Sequence, residues 1–209
     1  QRSVLCNVSA SIAAGTWVVI KGPSGSGKST IASLLMGFYQ PMSGNIFIDA
    51  VPVSSWDIRN LRSHMGYVGQ DPVLFHGTLR ENILLERYAY AHRLDYVLKI
   101  CCLDHFIQEL PGGIDTTIGE RGLTLSAGQR SRVAVARALL THPNVLILDE
   151  ANSMLESELE DIFWKNIWSD RKDKTTLILT HHDEKLPKGC QIIHLEKNIQ
   201  EPHYASALS

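Results

Sequence analysis

The stretch Gly22-Pro23-Ser24-Gly25-Ser26-Gly27-Lys28-Ser29-Thr30 constrains this chain more than any other. It has the spacing G-x-x-x-x-G-K-[ST]. Ahead of it, Trp17-Val18-Val19-Ile20 is a short apolar run, β-branched and aromatic, that reads as a buried strand. Behind it, Ile31 to Met36 reads as a helix ending at Gly37. Strand, glycine loop and helix together make a phosphate-binding loop. The glycines let consecutive backbone N–H groups turn towards one anion, and the helix start adds unpaired donors and the positive end of its dipole. On this reading Gly22, Pro23, Ser24, Gly25, Ser26, Gly27, Lys28, Ser29 and Thr30 cradle the phosphates. Lys28 reaches the β- and γ-phosphates and the Ser29 hydroxyl holds Mg²⁺.

With 209 residues the chain has room for one α/β domain, with an inserted subdomain. The formal net charge of −2 gives no reason to expect a nucleic-acid surface. No apolar run approaches the ~18 residues a membrane span needs. Cys6, Cys101, Cys102 and Cys190 have no zinc or disulfide-framework spacing, so reduced thiols in the cytosol are expected. The chain starts inside a folded unit, which suggests a fragment of something longer.

Taken in order, Gln1 to Ala10 reads as a strand, turned back by Ala13-Ala14-Gly15. Asn45 to Asp49 and Val51 to Val53 read as strands, Asp57 to Arg62 as a short helix capped by Ser55 or Asp57, and Met65 to Gly69 as a strand. From Val73 to Leu125 helical spacing dominates, over Thr78–Leu85, Arg87–Cys101 and Leu103–Leu110. A helix runs from Ser126 to about Thr141 and stops at His142-Pro143. Val145 to Leu148 is a continuous apolar run, as expected of a parallel strand covered on both faces. Leu155 to Trp168 reads as a helix, Thr175 to Thr180 and Gln191 to Leu195 as strands, and the residues after Glu201 as a tail.

Two further places carry chemistry. Asp149 and Glu150 end a buried strand, where ligands of open parallel sheets gather. Asp149 suits Mg²⁺, directly or through water, and Glu150 suits an attacking water. Taken alone, the pair is equally a strand ending in solvated acids. Leu125-Ser126-Ala127-Gly128-Gln129 opens the long helix with a cap, a glycine and free N–H groups, a second place for an anion. From the residues alone a plain capped helix is the simpler reading.

The order phosphate loop, Gln70, LSAGQ, then the Asp149-Glu150 strand resembles the nucleotide-binding domain of ATP-binding-cassette (ABC) proteins over nearly all of the chain. The segment Gln129-Arg130-Ser131-Arg132-Val133-Ala134-Val135-Ala136-Arg137-Ala138-Leu139 extends the match. The resemblance implies a P-loop NTPase fold of α/β class: a mostly parallel sheet, an antiparallel β edge and an inserted α-helical signature subdomain. Residues 1–72 and 142–209 would form the ATP-binding core and 73–141 the helical subdomain. It implies ATP and Mg²⁺ as ligands and a head-to-tail dimer with a second nucleotide-binding domain, homo- or heterodimeric. Ser126, Gly128 and Gln129 would then meet the partner's nucleotide. Gln70 resembles the Q-loop glutamine, a ligand of Mg²⁺ and water, and His181 the switch histidine, with His182 as its competitor; Asn152 to Glu156 resemble the D-loop. Catalysis would rest on Glu150, His181 and Gln70, and the metal on Ser29, Gln70 and Asp149.

Gly119-Glu120-Arg121-Gly122, Asp71 to Phe75 and Gly77 to Ile83 resemble exporter sequences. They imply a transmembrane domain, N-terminal in the same chain, with the ATPase at the cytoplasmic face of a membrane and no nucleic-acid partner. Rival readings are a soluble ABC ATPase acting on DNA or ribosomes, and a nucleotide-binding half-site without turnover. Ala127 stands where the family has Gly and Glu156 where its D-loop has Asp. The aromatic residue that stacks on adenine is expected upstream of the first strand, beyond this chain.

Overall fold

The computed structural model describes residues 4–119, 125–151, 157–181 and 189–196. A five-stranded, all-parallel sheet forms its centre: β1 (Trp17–Lys21), β4 (Met65–Val68), β7 (Val145–Asp149), β8 (Thr175–Thr180) and β9 (Gln191–His194), in the spatial order β4-β7-β8-β1-β9. The edge strand β9 is mostly exposed, but both faces of the inner strands β1, β7 and β8 are covered, so these are largely apolar rather than alternating. Their side chains divide by parity. Trp17, Val19, Leu146, Leu148 and Ile178 join one core cluster; Val18, Ile20, Ile147, Leu177 and Leu179 join the other.

The second cluster is closed by α1 (Lys28–Leu35) and α2 (Ile58–Ser63) through Ala32, Met36 and Leu61. Asp57 caps α2, accepting from the N–H of Asn60 at 2.8 Å. The first cluster is closed by α3 (Leu79–Leu84), α4 (Leu94–Ile100), α6 (Ala127–Leu139) and α7 (Ser157–Asp170). Trp164 and Trp168 of α7 pack on Trp17, with ring centroids 6.4 and 4.7 Å apart. The short α5 (Asp104–Gln108) follows α4. β2 (Phe47–Ile48) and β3 (Val51–Pro52) form a separate antiparallel ladder, the edge expected from the sequence.

One buried cation clips the far end of the sheet. Arg171 is fully buried, donating to Thr176 Oγ1 at 2.8 Å and to the carbonyls of Pro143, Thr175 and Asn144 at 3.0, 2.9 and 3.4 Å. Burial pulls its pKa down to about 10.

The structure differs from the expected elements in three places. Residues 4–10 form no strand: Asn7 has φ +52°, and Val4 and Leu5 lie against the phosphate loop instead. The helix expected from Arg87 begins as 3-10 turns over Tyr88–Arg93, after Leu85 and Glu86 enter the left-handed region. Inside the helical stretch, β5 (Gly77–Thr78) pairs antiparallel with β6 (Thr117–Ile118). Two residues per strand are too few to show a period of two. The expected tail after Glu201 lies outside the described residues. Among the described residues no helix is long and apolar enough to cross a membrane.

Candidate functional site

The parallel sheet collects the candidate residues at one edge. β1, β7 and β8 run the same way, with Lys21 level with Thr180 and Asp149 level with Leu179. The glycine loop follows β1, Asp149 and Glu150 end β7, and His181 follows β8. All three leave the sheet at their carboxyl ends, where ligands of such sheets bind.

The loop is built by close approach. A Cβ on Gly22 would sit 2.5 Å from Ser26 Oγ and 2.6 Å from the carbonyl of Leu195. Gly27 caps α1 at φ +100°, a conformation that L side chains rarely adopt, and a Cβ there would also strike Leu5. The Ser26 N–H donates to the Pro23 carbonyl at 3.1 Å, closing the turn. Lys28 is buried and folds back along the loop, donating to the carbonyls of Gly22 and Pro23 at 2.8 and 3.2 Å. Its ammonium also stands 3.7 Å from Glu150 Oε1.

Glu150 is 8% exposed and adopts φ +53°, a strained conformation for a residue with a side chain. Its N–H donates to the Leu179 carbonyl at 2.9 Å. Its Oε1 lies 2.7 Å from His181 Nδ1, on a ring that is 41% exposed. Asp149 is buried beside it. Burial raises the Asp149 pKa; hydrogen bonding from Ser29 opposes this, the charge of Glu150 adds to it, and Lys28 and Tyr67 oppose it. His182 and Asn152 to Glu156 lie outside the described residues, as do Glu120 to Gly122.

These groups fit a magnesium-bound polyphosphate. The hydroxyl of Ser26 is buried, 1% exposed, and has no hydrogen-bond partner among the described residues. A phosphate oxygen is the acceptor such a group needs. Two adjacent buried carboxylates, Asp149 with its pKa raised chiefly by burial and further by the charge of Glu150, call for a cation. Among the described residues no cluster of three His, Cys, Asp or Glu side chains forms a metal site. A cation here would take its remaining ligands from water and phosphate, as Mg²⁺ does.

The second stretch starts α6. Ser126 is its N-cap: Ser126 Oγ accepts from the Gln129 N–H at 3.1 Å and the Ser126 N–H donates to Gln129 Oε1 at 2.8 Å. This is a capping box. Ser126 is exposed and Gly128 buried. Gln70, just past β4, is exposed. With Ala127, Arg130, Ser131, Glu150 and Ala151 it lines a small cleft of about 40 Å³.

Three residues near the site have no role in the sequence reading, although Ser131 and Arg137 lie in the segment that extends the signature match. Tyr67 on β4 hydrogen-bonds towards Asp149, and burial and that carboxylate raise its pKa. Arg137 on α6 donates to the carbonyls of Asn82 at 2.8 Å and Val73 at 3.0 Å, tying the segment after Gln70 to α3 and α6. Ser131 donates to the carbonyl of Ala151. The sequence did hold a trace of it: Gly128, Ser131, Val135 and Leu139 lie on one buried stripe, where a serine is out of place.

Comparison with known proteins places these features in a family. A family profile described as "ABC transporter" matches residues 5–153. An uncharacterized ABC transporter ATP-binding protein of Bacillus subtilis is 39% identical over 199 residues, covering 95% of this chain and 35% of the relative. A multidrug resistance ABC transporter ATP-binding and permease protein of Lactococcus lactis is 39% identical over 94% of this chain and 34% of its own. An ATP-dependent lipid A-core flippase of Legionella pneumophila is 41% identical over 93% of this chain and 33% of its own. The structure of a bacterial Atm1-family ABC exporter with ATP bound superposes with a TM-score of 0.89 and 37% identity, over 94% of this chain and 35% of that one. The chain thus spans about a third of the length of the curated relatives it matches.

Proposed function

The chain belongs to the ABC transporter family, and from that premise we propose that it binds ATP and hydrolyses it to ADP and phosphate, powering an exporter. The observation that carries this is the convergence of Lys28 and His181 on one oxygen of a buried, backbone-strained Glu150 beside a phosphate loop. Lys28 neutralises the β- and γ-phosphates, and the donors of residues 22–30 orient them. Ser29, Asp149 and Gln70 hold Mg²⁺, which when bound supplies positive charge against the transferring phosphoryl group. Glu150 orients the attacking water and takes its proton, and His181 fixes the rotamer of Glu150.

Each chain lends its Ser126, Gly128 and Gln129 to the nucleotide of a second domain, in a head-to-tail dimer. The outward-facing, exposed cap of α6 supports this, since a helix start favours an anion. Closure and opening of the dimer do work on a transmembrane domain N-terminal in the same chain, at the cytoplasmic face of a membrane. Relatives that are permeases and flippases favour this over a soluble ATPase acting on DNA or ribosomes. The Glu150–His181 pair favours turnover over a silent regulatory half-site. On this reading residues 1–72 and 142–209 are the ATP-binding core and 73–141 the helical subdomain.

The test is Mg²⁺-dependent ATPase turnover of the intact protein with Glu150→Gln beside it. The expected result is turnover that Glu150→Gln abolishes while leaving an ATP-stabilised dimer. Undiminished turnover in Glu150→Gln would overturn the assignment of the base. Nucleotide binding with no turnover in the membrane-assembled wild type would overturn the enzyme reading.

A further inference from the structure

Glu150 holds a conformation that its own side chain opposes. A left-handed backbone is disfavoured for a residue with a Cβ and persists only where the surroundings over-determine it. At φ +53° Glu150 is such a residue. Two hydrogen bonds bracket it. In front, its N–H donates to the carbonyl of Leu179 on β8. Behind, the carbonyl of the next residue, Ala151, accepts from the hydroxyl of Ser131 on α6. Ser131 is 7% exposed and Ala151 6%, so this second bond is made away from water. Ser131, Glu150 and Ala151 also share the small cleft with Gln70 and Ala127.

We propose that Ser131 is a positioning residue for Glu150: its hydroxyl, acting through the Ala151 carbonyl, holds the strained turn that aims the carboxylate at Lys28 and His181. The idea rests on the reading of Glu150 as the general base. The fold gives it a consequence. α6 is a continuous 13-residue helix, and Ser131 lies five residues, about 7.5 Å of helix rise, from Ser126. The helix whose exposed start would meet a neighbour's nucleotide therefore grips the base of its own chain. A shift of α6 is transmitted to Glu150 through one hydrogen bond, without any change in the phosphate loop.

The size of the effect follows from the bond. A neutral buried hydrogen bond that is lost, with a turn that relaxes, corresponds to a fall of about 3- to 10-fold in a rate. Misaiming a reacting group lowers kcat, whereas the phosphate contacts that set ATP affinity are elsewhere.

The experiment compares wild type, Ser131→Ala, Ser131→Thr and Glu150→Gln in the intact protein. It measures kcat, KM for ATP, and ATP affinity without Mg²⁺. Ser131→Ala is expected to lower kcat about 3- to 10-fold with KM and affinity unchanged, and Ser131→Thr, which keeps the hydroxyl, to restore most of kcat. Wild-type kcat in Ser131→Ala, with Glu150→Gln inactive, would overturn this proposal and leave the functional reading standing. Loss of affinity and thermal midpoint together with kcat, unrescued by Thr, would make Ser131 merely structural and overturn it too. Turnover surviving undiminished in Glu150→Gln would remove the reading of Glu150 as the general base, on which this proposal rests, and would leave the ATPase reading standing.

Discussion

Nδ1 of His181 stands 2.7 Å from Oε1 of Glu150, and the same oxygen stands 3.7 Å from the ammonium of Lys28. These three side chains come from the ends of β8 and β7 and from the first residue of α1, after the glycine loop. One carboxylate oxygen thus links both sides of the sheet edge, with the imidazole holding its rotamer. His181→Ala removes that hold and leaves the phosphate loop intact. Turnover should fall by about 100-fold or more, in the range of general acid–base contributions, with ATP affinity within a factor of two or so of wild type. Steady-state kinetics beside equilibrium nucleotide titration check this.

Asp149 gives a pH-dependent prediction. Its folded pKa lies above the ordinary carboxylate value, chiefly through burial. In the window between the two values the folded chain binds more protons than the unfolded one, so stability falls as pH rises through it. Above the window the charged Asp149 is a standing cost in the ligand-free protein. Asp149→Asn should therefore melt higher than wild type at pH 7. The gap should close as pH drops through the folded pKa towards the ordinary carboxylate value. The same variant should lose the further stabilisation that Mg²⁺ adds to ATP. Thermal melts across pH, with and without MgATP, test both halves.

Ser126 has two jobs that two substitutions separate. It caps α6 through Gln129, and it is proposed to meet a neighbour's phosphate. Ser126→Ala should cost about 1 kcal/mol of stability through the lost cap. Ser126→Asp keeps a capping side chain but sets a negative charge where a phosphate would come. It should fold as well as wild type, bind ATP as a monomer, and fail to form the ATP-stabilised dimer. Light scattering with Glu150→Gln as background reads this directly.

Arg171 tests the scaffold apart from the chemistry. Replacing it with Ala removes the guanidinium bonds to Thr176 Oγ1 and to the carbonyls of Pro143, Asn144 and Thr175, while Asn144 keeps the Thr175 N–H and Pro143 the Lys174 ammonium. The loss should be at least about 1.5–3 kcal/mol, the range for a single hydrogen bond to a charged group. Arg171→Lys should recover little, since an ammonium cannot reproduce a planar fork reaching four acceptors. Urea unfolding midpoints give the values.

Much of this protein is legible in residue order because its causes are local. The loop from Gly22 to Thr30 follows from glycine backbone freedom and a helix start, and the apolar run at Val145 to Leu148 from burial on both faces. The cap at Ser126 is a four-residue pattern. The short ladder of Gly77-Thr78 with Thr117-Ile118 is not legible, because two residues show no period and their partners lie 39 and 41 positions apart. The expected strand near Val8 fails for the opposite reason. Its apolar spacing is there, but no free sheet edge receives it, since the places beside β1 belong to β8 and β9.

What the sequence determined alone was the list of groups: a phosphate loop, two acids ending a strand, a histidine ending another, a capped helix. Each is written in neighbouring residues, so short-range sterics and hydrogen bonding define it. What only the tertiary structure decided was their meeting. The strand order puts β8 between β7 and β1, which brings His181 and Lys28 to one oxygen of Glu150, and the packing of α6 lays Ser131 on the peptide behind it. Those contacts join residues 20 to 122 positions apart in the chain. They exist because a parallel sheet buried on both faces has one low-energy strand order for these side chains, and no local pattern encodes that order.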